Sequence, residues 1–260
     1  GRNAGGSINS TDANGTVAIG YEAGYGITSG AANTIVGYRA ARSATDSVGA
    51  AITLGYEAMY SNADSTGNVA IGYYAMRDVT GGSSRDYNVA IGYDAMRNAN
   101  PHMSIAIGYN AGNRLKDGAV GAVHIGTEAG KSASGSSNTF IGYTAGSGGT
   151  TSAPYSSGTS NTAVGYQALK NFTTGYSNVA VGVNTLDAIN TGAYNIGIGA
   201  AAGGAITSGN YNIAMGYAAF DASTTAGYTI AIGALALSAY THGENSFNIA
   251  IGGDGPAPVK

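Results

Sequence analysis

The sequence predicts an all-β chain wound as a parallel β-solenoid. Three observations carry that reading: a repeat with a modal period of 17 residues, a strand-type alternation inside each repeat, and turn residues filling the remainder. The repeat is anchored on a glycine that recurs at Gly20, Gly37, Gly55, Gly72, Gly92, Gly108, Gly126, Gly142, Gly165, Gly182, Gly199, Gly216, Gly233 and Gly252. The opening "GRNAG" (Gly1–Gly5) aligns with "GYEAG" (Gly20–Gly24), which makes fifteen units and predicts about fifteen coils. Residues 1–252 form the array; residues 253–260, ending "GPAPVK", form a C-terminal tail or linker.

The strand comes first in each unit. The residue before the anchor glycine is apolar in all fourteen complete units, and the residue two further back is always β-branched. Between them stands a small residue, alanine in nine units. Successive side chains of a strand point to opposite faces, so the two larger columns share one face and the alanine column lines the other. The larger side chains are expected inside the coil: Ile19, Ile71, Ile91, Ile107, Ile125, Ile141, Ile198, Ile232 and Ile251 form the predicted core. On that reading Ile91→Asp unfolds the local repeats.

The glycine follows. Gly20, Gly37, Gly72, Gly92 and Gly216 are read as turn residues, where the chain needs a positive φ or a place too tight for a Cβ. Three residues later alanine recurs in twelve of fourteen units, and the next position alternates between glycine and a large apolar residue such as Met59, Met76, Met96 or Leu169. Polar turns such as "TTGYSN" complete each unit. One such unit is too small to bury its own apolar face, whereas stacked units bury it between them. Stacking also turns columns into ladders. Asparagine heads nine of the fourteen strands, and tyrosine follows the anchor glycine in nine units. A second tyrosine set, Tyr87, Tyr194, Tyr211 and Tyr228, stands just before the strand. Both sets are read as stacked rings closing coil corners rather than as separate glycan platforms.

Composition narrows the function classes. The net charge is −3 and charged residues are only 10% of the chain, which argues against nucleic acid as a partner. Of the eleven basic residues, ten lie at or before Lys170, so a mixed-charge stretch precedes a smoother, weakly acidic one. Cysteine is absent, so no disulfide contributes. No apolar run of membrane length is present, which gives no membrane insertion by this segment, and no targeting signal is found in the chain.

The strings "NVAIGY", "NTAVGYQAL" (Asn161–Leu169) and "NIAIG" (Asn248–Gly252) resemble the head repeats of trimeric autotransporter adhesins. They resemble more closely the "NTAVGYQAL…TTG" arrays of phage tail fibres and of surface proteins ending in a self-cleaving chaperone domain. The resemblance covers nearly the whole chain, whose repeat is longer and less uniform than that of the adhesin heads. It implies a left-handed parallel β-roll with three chains side by side. The flat alanine face agrees with a homotrimer, since a three-fold association would cover it. The implied function is a non-enzymatic structural and adhesive segment of an extracellular fibre. A phage tail-fibre shaft or receptor-binding region at the virion surface, serving host-cell attachment, is the first reading. A bacterial trimeric adhesin head and a head-to-tail self-assembling surface filament are the alternatives. The partners are then other copies of the chain and a host-surface glycan or protein receptor.

His102, His124 and His242 fall in different units with no metal-ligand spacing, and the carboxylates are scattered singly, so no metal, cofactor or catalytic residue is assigned. Thr34, Thr139 and Thr162 share one column and Thr53 another, which is too irregular for an ice-binding face. Tyr155, Arg85, Arg97 and His102, in or beside the irregular loops, are the candidate surface contacts.

Overall fold

The computed structural model describes residues 1–8, 14–44, 49–61, 66–79, 86–116, 119–150, 155–241 and 247–253. Arg85, His242 and the tail from residue 254 onward lie outside them. The chain divides into two compact units, Gly1–Thr127 and Glu128–Lys260. The first holds strands β1 (Val17–Ile19), β2 (Thr34–Val36), β3 (Ile52–Leu54), β4 (Val69–Ile71), β5 (Val89–Ile91), β6 (Ile105–Ile107) and β7 (Val123–Ile125). The second holds β8 (Thr139–Ile141), β9 (Thr162–Val164), β10 (Val179–Val181), β11 (Ile196–Ile198), β12 (Ile213–Met215), β13 (Ile230–Ile232) and β14 (Ile249–Ile251). Within each unit every strand pairs in parallel with the next, so the fold is an all-β parallel solenoid of short strands, with no helix among the described residues.

Register follows the columns of the sequence. Val69, Ala70 and Ile71 pair with Val89, Ala90 and Ile91, and Val179, Ala180 and Val181 with Ile196, Gly197 and Ile198. Coil-to-coil hydrogen bonding continues around the turn. The N–H of Arg39 donates back to the carbonyl of Tyr21 (2.8 Å), and two residues on, Ala41 donates forward to Ala58 (2.9 Å). The reversal comes from left-handed residues at alternate positions, Arg39 (φ 51°) and Ala41 (φ 49°), a pattern that neighbouring coils repeat. The "GRNAG" half-unit stacks in the same way: Glu22 donates to the carbonyl of Arg2 and Gly5 to that of Ala23, both at 2.9 Å.

The anchor glycine meets both of its expected demands. Gly20, Gly37, Gly72, Gly92 and Gly216 have φ between 126° and 144°, and a Cβ on Gly20 would lie 2.2 Å from the carbonyl oxygen of Gly37. Coils 17 residues apart can approach to strand spacing only if neither has a side chain here.

The interior reverses the expected faces. The small middle column is inside: Ala70, Ala90, Ala106, Ala163, Ala180 and Ala214 have no exposed surface. The predicted core column is outside. Ile19, Ile141, Ile198 and Ile251 are exposed, and Ile71, Ile91, Ile107, Ile125 and Ile232 are half-buried. The width of the lumen explains the inversion. Two alanine columns face into it, the strand column and the one three residues after the glycine (Ala23, Ala75, Ala95, Ala168), which leaves each coil room for few large side chains. Met59, Met76, Met96, Leu169 and Leu186 supply them in some coils. Where that position is glycine, a large residue enters from elsewhere. A Cβ on Gly146 would lie 2.4 Å from the ring of Phe140, which replaces alanine in the strand column. The alternation of glycine and large residues is therefore volume compensation within a tube of fixed bore.

Buried asparagines close the roll. In the second unit Asn178, Asn195 and Asn212 each donate from Nδ2 to the Oδ1 of the asparagine one coil earlier (3.0–3.1 Å). Each also donates to a carbonyl across the coil, that of Gly192, Gly209 or Ala226, at 2.8 Å. Each Oδ1 accepts in addition from the backbone N–H of the next coil. Buried amides are thus satisfied without water, and one asparagine per coil fixes the register.

Candidate interaction surface

Turning the strand inside out places its β-branched residues on the outer face of the sheet. In the first unit the outward positions run from Val17 and Ile19 through Ile52, Leu54, Val89 and Ile91 to Val123 and Ile125. In the second they run from Thr139 and Ile141 to Ile249 and Ile251. No charged residue occupies either outward strand column. A face this long, apolar and free of charge is unusual on an isolated chain.

Aromatic ladders flank that face. Tyr21, Tyr38, Tyr56, Tyr73, Tyr93 and Tyr109 follow the anchor glycine and stack with centroids 4.9–5.5 Å apart. In the second unit Tyr143 and Tyr166 continue this column (5.4 Å). The second ladder, on the opposite margin, comprises Tyr194, Tyr211, Tyr228 and Phe247 at 4.9–5.1 Å. The rings turn their faces to one another, so they present edges and hydroxyls outward. The hydrogen bond with Tyr74, followed by burial, pushes the Tyr73 phenol up to about 12.

Beyond the first ladder lies an ionic network that singly scattered carboxylates did not foretell. Glu22 accepts from Arg42 (2.5 Å) and Arg39 (3.2 Å), and Glu57 from Arg77 (2.8 Å). Asp78 bridges Arg77 (2.8 Å) and Arg97 (3.0 Å). The guanidinium groups of Arg77 and Arg97 also lie over the Tyr74 ring, at 4.6 and 4.7 Å. The hydrogen bond from Arg42 lowers the Glu22 carboxyl from its ordinary value, while burial raises that of Asp94. The signal was present in the sequence as two columns, one alternating in charge, Glu22–Arg39–Glu57, and one of basic and aromatic residues three positions on, Arg42–Tyr60–Arg77–Arg97. It becomes visible only when coils are stacked rather than read end to end.

The candidate contacts do not converge. Arg97 is engaged with Asp78 and Asp94. His102 lies edge-on to Tyr87 and accepts at Nδ1 from the Asp86 N–H (3.3 Å). Tyr155 belongs to the second unit, and Arg85 lies outside the described residues. His124 is wholly buried in the strand column, where burial lowers its pKa to about 3. Among the described residues no group of three or more His, Asp or Glu could hold a metal ion.

No protein-family model, curated protein or solved structure matches this chain. What remains is the surface itself: an uncharged apolar sheet face, two aromatic margins, and one ionic network beside the first unit's ladder.

Proposed function

We propose that the chain is a non-enzymatic structural and adhesive segment of an extracellular fibre, built from three copies side by side. Its left-handed roll then stacks fifteen coils, counting the N-terminal half-unit. The observation that carries this reading is the uncharged β-branched face. A protein that lines its tube with alanine and sets its isoleucines outward gains most by covering them with like surfaces. Three such faces about a common axis enclose one another and leave the polar turns and the ionic network at the periphery, where a host glycan or protein receptor would be met. A phage tail fibre at the virion surface is the first assignment, because the repeats resemble the "NTAVGYQAL…TTG" arrays of tail fibres and chaperone-terminated surface proteins more than adhesin heads; a bacterial adhesin head is the second.

Sedimentation equilibrium tests the assembly, with Ile105→Lys/Ile107→Lys as the partner-face variant. The reading expects a trimer from the native chain and a folded, dissociated chain from the variant. A native monomer overturns it. Binding to arrayed bacterial surface glycans, compared between native and Arg77→Ala/Arg97→Ala proteins, tests the adhesive part. Cleavage of any arrayed glycan contradicts the non-enzymatic assignment.

A further inference from the structure

We infer that the arginine–tyrosine strip beside the first unit's ladder is a binding site for an acidic polysaccharide, taking the carboxylates and rings of successive hexuronic acid units. The inference rests on the adhesive reading proposed above and names the class of ligand at that surface. The strip follows one column of the roll. Tyr25, Arg42, Tyr60, Arg77 and Arg97 occupy the fifth position after the anchor glycine in five successive coils. Backbone bonds hold them in line: the carbonyls of Arg42, Tyr60, Arg77 and Arg97 each accept from an N–H of the preceding coil, at 2.8–3.0 Å. Their side chains therefore follow one another along the stack at strand spacing, about 4.8 Å per coil.

Two layers build the strip. Carboxylates lie beneath: the side chains of Glu22, Glu57 and Asp94 are only 8–14% exposed, against 25–34% for Arg39, Arg42, Arg77 and Arg97. Glu57 holds Arg77 at Nε, and Asp78 holds Arg77 at Nη1 and Arg97 at Nε. Rings steady the same groups. The Arg42 guanidinium lies over Tyr25 and Tyr60, 5.8 and 5.9 Å from their centroids, and that of Arg77 over Tyr60 and Tyr74, at 5.3 and 4.6 Å. A guanidinium carries five N–H donors in a plane, so one fixed in this way keeps donors for an anion after its ion pairs are made. Four arginines meet four carboxylates here, so an anion is recognised by contact rather than by a long-range field.

The fold does not require this strip. The same column in the second unit carries Lys170, Asp187, Gly204, Asp221 and Ser238, and the column of Glu22 and Glu57 carries Gln167, Asn184, Ala201 and Ala218. Those coils turn the same left-handed corner, with Gln167 (φ 56°) and Leu169 (φ 50°) in the places of Arg39 and Ala41. Partly exposed ion pairs add little stability one by one. Arginines gathered on one corner of one unit therefore point to a partner, and their alternation with rings selects its class. The apolar face of a sugar packs on an aromatic ring, and a carboxylate takes charge-assisted hydrogen bonds from a guanidinium. A chain of hexuronic acids offers both from every unit. A neutral glycan lacks the charge, and an acidic peptide lacks the ring.

Isothermal titration of the whole chain with a galacturonic acid oligomer, its methyl ester and a glutamate oligomer tests the assignment. The oligouronate should bind. The ester, which keeps the rings and loses the charge, should bind about tenfold more weakly or worse, as should the glutamate oligomer. Arg77→Gln/Arg97→Gln should lower oligouronate affinity by about tenfold. Tyr60→Leu leaves every ion pair in place and should lower it by about fivefold. Equal binding of the acid and its ester, or of the glutamate oligomer, overturns the acidic-sugar class, and undiminished binding in either variant overturns the site. If the oligouronate fails to bind while arrayed neutral glycans are bound, the inference falls and the adhesive reading stands. If no glycan binds in either assay, both fall.

Discussion

At the residue scale, position within a coil decides what a side chain does, and size alone misleads. Ala90 and Ile91 are neighbours; the alanine is fully buried and the isoleucine faces outward. Ala90→Asp places an unpaired charge in the lumen and should cost more than about 3 kcal/mol, seen as a lowered denaturant midpoint. Ile91→Asp should leave the fold of the dissociated chain nearly unchanged and abolish association. His124 gives a pH signature. Its folded pKa of about 3 lies below the ordinary 6.5, so between those values the unfolded chain binds the extra proton. Its contribution is fully present above pH 6.5 and is lost as pH falls towards 3, with a slope approaching about 1.4 kcal/mol per pH unit. His124→Phe, which copies the ring at Phe140 in the same column, should flatten unfolding free energy against pH in that window. An unchanged slope would assign the pH dependence to other groups.

At the element scale, the strand, the glycine corner and the asparagine ladder were all legible in the sequence, since each rests on a column that recurs. The face of the strand was not. The rule that larger apolar residues go inside presumes a core with room for them, and no single repeat reveals that two alanine columns face each other across a narrow lumen. The ionic network was hidden for a related reason: Glu57 and Arg77 lie 20 positions apart in sequence and 2.8 Å apart in space. Two substitutions test the element account. Asn195→Ala removes the ladder's hydrogen bonds to Asn178, Gly209 and Asn212 and should destabilise the second unit by about 2–4 kcal/mol in chemical denaturation. Gly146→Leu should disrupt folding, because its Cβ meets the Phe140 ring. Gly146→Leu/Phe140→Ala installs the arrangement of the following coil, where Leu169 accompanies Ala163, and should recover most of the loss. Additive effects would contradict the volume compensation.

At the scale of the whole molecule, the assembly proposed above rests on the isoleucines that the alanine-lined interior leaves facing outward. Which column lines the lumen and which faces outward is read most directly by thiol labelling of two single-cysteine variants. Ala90→Cys and Ile91→Cys are each treated with a maleimide, in the native background and in the dissociated Ile105→Lys/Ile107→Lys background. Cysteine at position 90 should stay unreactive in both backgrounds until the chain is denatured. Cysteine at position 91 should be protected in the native assembly and react readily once the copies are separated. Rapid labelling at position 90, with position 91 protected in both backgrounds, would return the isoleucines to the core and contradict the account.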